Sequence, residues 1–388
     1  MQIGKSIYLD YQATTPLDPR VREAMEAYSG DLFANPHSLQ HVLGQQSAVA
    51  VESARTDIEA FIGASAEEII FTSGATEANN QAIASVLFSN NSRRNKILIS
   101  AIEHKCIKNA AYYFAAKLGA VVEEIPVLPS GLIDIQAYES MLSEQVLLVC
   151  VMAVNNEIGS IQDIPRLAKL AHDYGALFHC DAAQAPEAID INVKQWQVDM
   201  LSLSAHKVYG PKGIGALYMK NALQASLPPF IHGGGQQFGM RSGTVPTALC
   251  VGFATALNIS KQQAGETRRK LASMKQRFIN NLSQLDIDFR LNGSQESCHP
   301  GNLNVEFVGL DAIAMLESMQ PEVCASTGSA CNSEMVQPSH VLKAIGLSDS
   351  QAISSIRFSL GRYSDENQID HAVQVIRKTI NSFQLESL

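Results

Sequence analysis

The sequence predicts an α/β protein, with a large domain built on a mostly parallel, doubly wound sheet and a smaller α+β domain beside it. Two observations predict this class. From residue 68 to residue 219, short apolar runs bounded by turn residues alternate with helical patterns, which is typical of parallel strands and their crossover helices. Past about residue 239 this alternation ends, and a long helical region leads into a second, mixed unit.

The elements follow from these patterns in chain order. Apolar, turn-bounded runs predict large-domain strands at residues 68–72, 96–100, 121–125, 146–154, 176–180, 198–204 and 215–219. Helical spacing predicts helices at residues 19–29, 47–62, 106–118, 135–142, 164–174 and 247–284, and one ending near 89. The second unit has predicted strands at residues 302–308 and 354–360 and helices at residues 311–319 and 365–383. A boundary near residue 260 gives a large domain of residues 12–260 and a small domain of residues 1–11 and 261–388.

Composition excludes several classes of protein. The chain has 388 residues, 46% of them hydrophobic, and its formal charge of −9 argues against a nucleic-acid-binding protein. Its longest apolar runs are far shorter than a membrane span, and its first residues resemble neither a secretory signal nor a transit peptide. Seven scattered cysteines without a Cys-x-x-Cys pair favour reduced thiols over disulfides or a zinc site. We therefore expect a cytoplasmic protein that binds no metal, nucleic acid or membrane.

A lysine stands where a buried strand ends, in SAHKVYGPKG at residues 204–213. Strand ends of an open α/β sheet face its ligand crevice. A partly desolvated lysine has a lowered pKa and can form a Schiff base with a carbonyl cofactor, which makes Lys207 a candidate for binding pyridoxal phosphate. On this stretch alone, a loop lysine paired with a carboxylate is an equally good interpretation.

Three other predicted strands end in polar groups, at His104, Asn156 and Asp181. An aspartate at such an edge can keep a pyridine nitrogen protonated, and a histidine there can stack on the ring and move protons. Taken singly, His104 fits a loop histidine and Asp181 a helix cap. Together with Lys207 they favour a pyridoxal-phosphate site. The turn SGATEANN at residues 73–80 opens a helix, and free N–H groups at a helix start favour a phosphate, although many such turns bind nothing.

A series of short motifs runs nearly the length of the chain: YLDYQATTP at 8–16, FTSGATE at 71–77, EH at 103–104, NNEIG at 155–159, HCDAAQ at 179–184, SAHKVYGPKG at 204–213, GGGQ at 233–236, MRSGT at 240–244, SAC at 329–331 and SIRFSLGR at 355–362. In this order they resemble the NifS/IscS group of cysteine desulfurases. The resemblance implies the pyridoxal-phosphate type I fold, which is aspartate aminotransferase-like, with the cysteine loop at about residues 321–338 in the small domain.

The resemblance also implies roles for the matching residues. Lys207 binds the cofactor covalently, Asp181 pairs with its pyridine nitrogen, and His104 stacks on its ring. Gln184 and Asn156 lie near the ring's phenolic oxygen and the substrate. The implied phosphate-binding residues are Ala75, Thr76, Ser204 and His206, together with Thr244, which reaches the phosphate of the partner subunit and so implies a homodimer. Arg357 would clamp the substrate carboxylate, a task suited to a bidentate guanidinium. Without the resemblance, a structural strand arginine is the better interpretation.

Cys331 decides the expected reaction. Its neighbours, ASTGSACNSE at residues 325–334, are small and polar, as is typical of a loop. By contrast, the apolar surroundings of four other cysteines predict buried packing residues: Cys106, Cys150, Cys180 and Cys250. The resemblance implies that Cys331 takes the sulfur of L-cysteine as a persulfide, releases L-alanine, and passes the sulfur to an acceptor protein. The long loop resembles that of enzymes that supply an iron–sulfur scaffold, while tRNA thiolation, DNA phosphorothioation and cofactor synthesis stay open.

Two departures from the family pattern affect partner contacts more than chemistry. Gln237 and Phe238 stand where relatives often carry Glu-Arg, and Asn332 stands where Thr is usual. Selenocysteine lyase and aminotransferase are alternative activities on the same fold. A non-catalytic subunit of a sulfur-transfer complex is a third possibility, but a scaffold has no use for the complete set of Lys207, Asp181, His104 and Cys331.

Overall fold

The computed structural model describes residues 2–90, 94–327 and 338–386, and it has the α/β architecture that the sequence predicts. Its strands, in chain order, are β1 Gln2–Ile3, β2 Ser6–Tyr8, β3 Ile69–Thr72, β4 Lys96–Ser100, β5 Val121–Ile125, β6 Val146–Cys150, β7 Leu177–Asp181, β8 Met200–Ser204, β9 Gly215–Met219, β10 Phe289–Leu291, β11 Asn302–Phe307, β12 Val323–Cys324 and β13 Ser355–Ser359. Its helices are α1 Pro19–Ser29, α2 Val42–Ile62, α3 Ala75–Phe88, α4 Lys105–Leu118, α5 Ile135–Met141, α6 Ile164–Asp173, α7 Val193–Trp196, α8 Asn221–Gln224, α9 Thr247–Leu282, α10 Ala312–Ser318, α11 His340–Ala344, α12 Asp349–Ile353 and α13 Glu366–Glu386.

The central sheet has seven strands in the order β3-β9-β8-β7-β6-β4-β5. The strands from β8 to β5 pair in parallel, whereas β9 runs antiparallel to both of its neighbours, β3 and β8. Successive strand residues point to opposite faces, so Ile97 and Ile99 of β4 join an apolar cluster with α3 and α4. Leu98 joins the cluster on the other face, which contains residues of α6 and α9. The sheet is therefore covered on both faces, as a doubly wound fold requires.

A third apolar cluster lies around the antiparallel sheet β10-β11-β13. It contains Leu9 from the N-terminal segment, Val305 of β11 and Phe358 of β13. Helix α9 contributes to both units, with Phe253 in the central cluster and Phe278 in this one. The predicted domain limits, 12–260 against 1–11 with 261–388, would cut α9 between these two residues and stay a prediction.

The strand-like run at residues 7–9 overlaps β2, whereas the sequence did not predict its partners β1 and β12, or β10. These strands have two or three residues each, too few to display a period of two, and they form because a partner strand is near. The predicted strand at 146–154 ends earlier, at Cys150, although Val151, Ala153 and Val154 beyond it are fully buried. Among the described helices, we find none with the length and apolarity needed to cross a membrane.

Candidate active site

Four strand ends of the central sheet open on one cavity of about 640 Å³, as the sequence predicts. Its walls include His104, Asn156, Asp181 and Lys207, which come at or after the ends of β4, β6, β7 and β8. Segments far apart in sequence meet there because the carboxyl ends of parallel strands share one edge of the sheet. Arg357 of β13 adds a wall from the second unit.

Lys207 lies in a short helical turn directly after β8. Its Nζ donates hydrogen bonds to the backbone oxygens of Gln12 at 2.6 Å and Ala13 at 2.9 Å. Burial, and then the positive charge of Arg357, lower the pKa of the amine to about 8. Because the neutral amine attacks an aldehyde, this environment prepares Lys207 for Schiff-base formation.

Asp181 ends β7, is 5% exposed, and is held by two donors. Nδ2 of Asn79 donates to Oδ2 at 2.7 Å, and the backbone N–H of Ala183 donates to Oδ1 at 2.9 Å. Oδ1 of Asn79 lies 2.8 Å from Nε2 of His179, which fixes the amide from its other side. The carboxylate is thus oriented in the cavity wall, where it can pair with a protonated pyridine nitrogen.

His104 caps the N-terminus of α4, where its Nδ1 accepts the backbone N–H of Cys106 at 3.2 Å. Sγ of Cys106 lies 3.0 Å from the same nitrogen. The ring is open to the cavity on one side, as stacking on a cofactor requires, while burial of the rest lowers its pKa. The negative charge of Asp181 opposes this lowering of the pKa. The positive charges of Lys207 and Lys105 add to it.

The prediction that Cys106 is a buried packing residue is wrong. Its side chain is only partly buried and lines the cavity, because α4 begins at the cavity edge and residue 106 falls in its first turn. Cys150, Cys180 and Cys250 are fully buried, as predicted.

The predicted phosphate cradle is the junction between β3 and α3. Helix α3 begins at Ala75, and no side chain in the described ranges caps its first turn, so its N–H groups and dipole can receive an anion. A Cβ on Gly215 of β9 would lie 2.7 Å from Cα of Gly74, so only glycine lets the turn pack against the sheet. Four predicted phosphate-binding residues line the cavity: Ala75, Thr76, Ser204 and His206.

Gln184 and His206 are held by the N-terminal segment. Nε2 of Gln184 donates to the backbone oxygen of Gln12 at 2.8 Å, and Nδ1 of His206 lies 3.1 Å from Oγ1 of Thr14. Burial, and then the charge of Lys207, lower the pKa of His206 to about 4, so its imidazole is neutral at pH 7. A lysine amine, a fixed carboxylate, an open ring face and a free helix start are the groups that pyridoxal phosphate needs, so this cavity fits that cofactor.

Arg357 lies in the cavity wall with its guanidinium held by three acceptors. Nη2 donates to Oδ1 of Asp10 at 2.6 Å and to Oγ of Ser326 at 2.8 Å, and Nη1 donates to the backbone oxygen of Asn156 at 2.7 Å. Its Nε has no hydrogen-bond partner in the part of the chain that the structure describes. The side chain is thus oriented beside the cavity, where a substrate carboxylate can bind it.

Some residues that the sequence analysis singled out are not among those that line this cavity. Thr244 is exposed, and the cavity of a single chain does not include it among its lining residues. At Gln237, one of the two departures from the family pattern, the side-chain amide binds both backbone groups of Phe71. Oε1 accepts the backbone N–H at 2.7 Å, and Nε2 donates to the backbone oxygen at 2.8 Å. Phe238 packs over the guanidinium of Arg55. Cys331 and Asn332 lie outside the described residues, as does most of the predicted cysteine loop.

Sequence reasoning missed some residues that hold the site. The backbone oxygens of Gln12 and Ala13, which anchor Lys207, leave no signal in side-chain patterns. Asn79 could have been found, because it follows Ala75 by four residues and therefore lies one helical turn from the phosphate cradle.

Comparison with known proteins places this geometry in a family. The family model described as Aminotransferase class-V matches residues 7–372. A protein named Cysteine desulfurase IscS from Rickettsia typhi is 43% identical over 378 residues, which cover 97% of this chain and 92% of that protein. A solved structure named NifS-like protein superposes with a TM-score of 0.91 at 31% identity, covering 97% of this chain and 100% of the other. Another, named SspA in complex with cysteine, gives 0.80 at 37% identity, covering 92% and 99%.

Proposed function

The chain belongs to the class V aminotransferase family, and from this membership we propose that it is a pyridoxal-phosphate-dependent cysteine desulfurase. The observation that carries the proposal is the convergence of Lys207, Asp181, His104 and Arg357 on one cavity. The names of its relatives support the same activity, and the structural neighbour SspA was solved in complex with cysteine. The enzyme removes sulfur from L-cysteine and releases L-alanine.

The chain's own residues bind the substrate and move its protons. Bound pyridoxal phosphate supplies an electron sink for the charge that develops on the substrate Cα. Asp181 keeps the pyridine nitrogen protonated, and the start of α3 with Ser204 and His206 holds the phosphate. Asn156 and Gln184 position the ring oxygen and the substrate. Arg357 binds the substrate carboxylate, Lys207 takes the Cα proton as a neutral amine, and His104 assists the proton transfers.

Cys331 performs the sulfur step. Its thiolate attacks the substrate sulfur, so a sulfur–sulfur bond forms while the bond from Cβ to sulfur breaks and leaves its electron pair on the substrate. A proton then takes the place of sulfur on Cβ, and L-alanine leaves. The persulfide on Cys331 holds the sulfur until an acceptor takes it.

Product analysis tests this function. The cofactor-loaded protein is incubated with L-cysteine and a thiol reductant, and alanine and sulfide are measured together. We expect equal amounts of the two, without added 2-oxo acid. Alanine that appears only with a 2-oxo acid acceptor would identify an aminotransferase, and turnover confined to L-selenocysteine would identify a selenocysteine lyase.

Substitution of Arg357 by alanine separates substrate binding from cofactor binding. Loss of a charge-assisted contact to the substrate carboxylate should raise KM for L-cysteine at least about tenfold. Affinity for pyridoxal phosphate, measured by absorbance titration, should stay within about threefold, since the phosphate cradle lies elsewhere. In Arg357→Lys, KM for L-cysteine should fall between the values of the native enzyme and the alanine variant, because lysine keeps the charge but loses the planar fork. An unchanged KM in the alanine variant would remove Arg357 from this role.

The enzyme acts as a homodimer. Large apolar side chains are exposed in and just before the first part of α2, with Phe33 73% exposed, Val42 62% and Val49 70%, and exposed apolar surface is typical of interfaces. Exposed Thr244 is consistent with a phosphate contact in the partner subunit. A monomer mass in sedimentation equilibrium of the loaded enzyme would contradict this state.

The persulfide sulfur passes to an acceptor protein, with an iron–sulfur scaffold as the first candidate and tRNA thiolation or DNA phosphorothioation pathways as the others. The compartment is cytoplasmic. Its support is that the described cysteines, at positions 106, 150, 180, 250, 298 and 324, are all free thiols, as a reducing compartment favours. Sulfur transfer from the loaded enzyme to purified acceptors, followed with radiolabelled L-cysteine, identifies the pathway.

A further inference from the structure

A chain of hydrogen bonds connects Asp181 with His104 in the cavity wall. Nδ2 of Asn79 reaches both Oδ2 of Asp181, at 2.7 Å, and Sγ of Cys106, at 3.2 Å. Sγ of Cys106 continues to Nδ1 of His104 at 3.0 Å. The two residues with roles at the cofactor ring are therefore linked through two that the reaction, as derived above, does not use.

The direction of each bond is fixed from both ends. A carboxylate can only accept, so Asn79 must present its N–H group to Asp181, and the same amide nitrogen donates to sulfur. At the other end, the backbone N–H of Cys106 can only donate, so Nδ1 of His104 must accept. A nitrogen that accepts there carries no hydrogen, and the contact from Sγ must therefore be a thiol hydrogen donated to Nδ1.

We propose that Cys106 is a positioning residue of the desulfurase reaction, whose thiol donates to Nδ1 of His104 and holds that imidazole neutral, with its one hydrogen on Nε2. The inference rests on the proposed function for the meaning of His104. The thiol can serve as a lasting donor because burial, followed by the charge of Asp181, raises its pKa to about 12. The other charges at His104 are Asp181, which favours its protonated form, and Lys207 and Lys105, which oppose it.

The arrangement offsets a conflict in the site. Asp181 must carry a negative charge for the pyridine nitrogen, but that charge raises the pKa of the neighbouring histidine, whose role needs the neutral form. Two donors on Nδ1 occupy the lone pair that protonation would use. The thiol thus limits the protonation of His104 that Asp181 favours. Asn79 fixes the positions of the carboxylate and the thiol relative to each other.

The test compares Cys106→Ala, which removes the donor, with Cys106→Ser, which keeps one, in the full-length, cofactor-loaded enzyme. The first readout is the pKa of His104, followed by 15N NMR on protein labelled in its histidine imidazoles and assigned with a His104→Gln sample. In Cys106→Ala we expect this pKa to rise by about half a unit to one unit, the size of one lost hydrogen bond. Cys106→Ser should stay within about 0.3 units of the native value.

The second readout is the pH profile of kcat/KM, which reports the pKa values of the enzyme without substrate, as the NMR titration does. In Cys106→Ala its acid limb should move to higher pH by the same amount as the NMR pKa, which lowers activity on that limb by roughly three- to tenfold. The plateau at higher pH and KM for L-cysteine should stay within about twofold, because His104 is neutral there in every variant. A merely structural role would lower the plateau and leave the limb in place.

The control is Cys250→Ala, a buried cysteine in α9 away from the cavity, which should leave both readouts as in the native enzyme. An unchanged His104 pKa in Cys106→Ala overturns the proposal, as does a serine variant that behaves like alanine. These outcomes are distinct from failure of the proposed function. A native enzyme that forms no alanine from L-cysteine would remove that function, whereas the NMR comparison would still decide whether Cys106 controls His104.

Discussion

Replacement of Lys207 by alanine should abolish the visible absorbance of the bound cofactor and lower turnover of L-cysteine at least about a thousandfold. The same amine performs two tasks, since it binds the cofactor covalently and takes the Cα proton. Lys212 also lines the cavity, so the spectra of the variant show whether a second lysine takes over either task. Absorbance spectra and alanine release from the same preparation measure both losses.

The matched control is Lys194→Ala, an exposed lysine on α7, which should keep native absorbance and turnover. Retained absorbance in the Lys207 variant would move the Schiff base to another lysine.

The lowered pKa of Lys207 predicts how cofactor binding by the native protein depends on pH. Since only the neutral amine attacks the aldehyde, capture of pyridoxal phosphate by the apo-protein should become faster as the pH rises through about 8 and then level off.

Replacement of Cys331 by alanine should leave the protein yellow and its affinity for the cofactor unchanged, but should lower sulfide and alanine release to the background rate. The thiolate is the nucleophile that accepts sulfur, and water at the same position has no comparable affinity for it. Mass spectrometry after a single addition of L-cysteine, without reductant, should find one extra sulfur atom on a peptide containing Cys331 in the native chain and none in the variant.

Cys324→Ala serves as the comparison for that experiment, since it removes another free thiol, in β12 near the start of the predicted cysteine loop. It should retain sulfide release and persulfide formation. Continued alanine release from the Cys331 variant would show that the cofactor works without this cysteine, and would favour a lyase or an aminotransferase.

Much of the site could be predicted because its chemistry depends on residue types at strand ends. Lys207, Asp181, His104 and Asn156 lie where the parallel-sheet argument expects them, on one cavity. That argument needs only the order of strands and the rule that their carboxyl ends meet.

The remainder depends on contacts that no local pattern encodes. Cys106 falls within a predicted helix, and only the position of α4 at the cavity edge brings its thiol to His104. Asp10 and Ser326 are distant in sequence from Arg357 but hold its guanidinium, since β13 brings them together. Strands as short as β10 owe their existence to pairing across the fold and not to propensity.

Helix α9 sets how the protein unfolds. Its 36 residues extend about 54 Å, and it carries Phe253 into one apolar cluster and Phe278 into the other. If either cluster unfolds, the part of α9 that it contains loses its packing, and this destabilises the rest of the helix, which the other cluster contains. The two units should therefore unfold together. Calorimetry of the loaded enzyme should accordingly give a single cooperative transition, and a chain cut near residue 260 should yield two aggregation-prone halves instead of two stable domains.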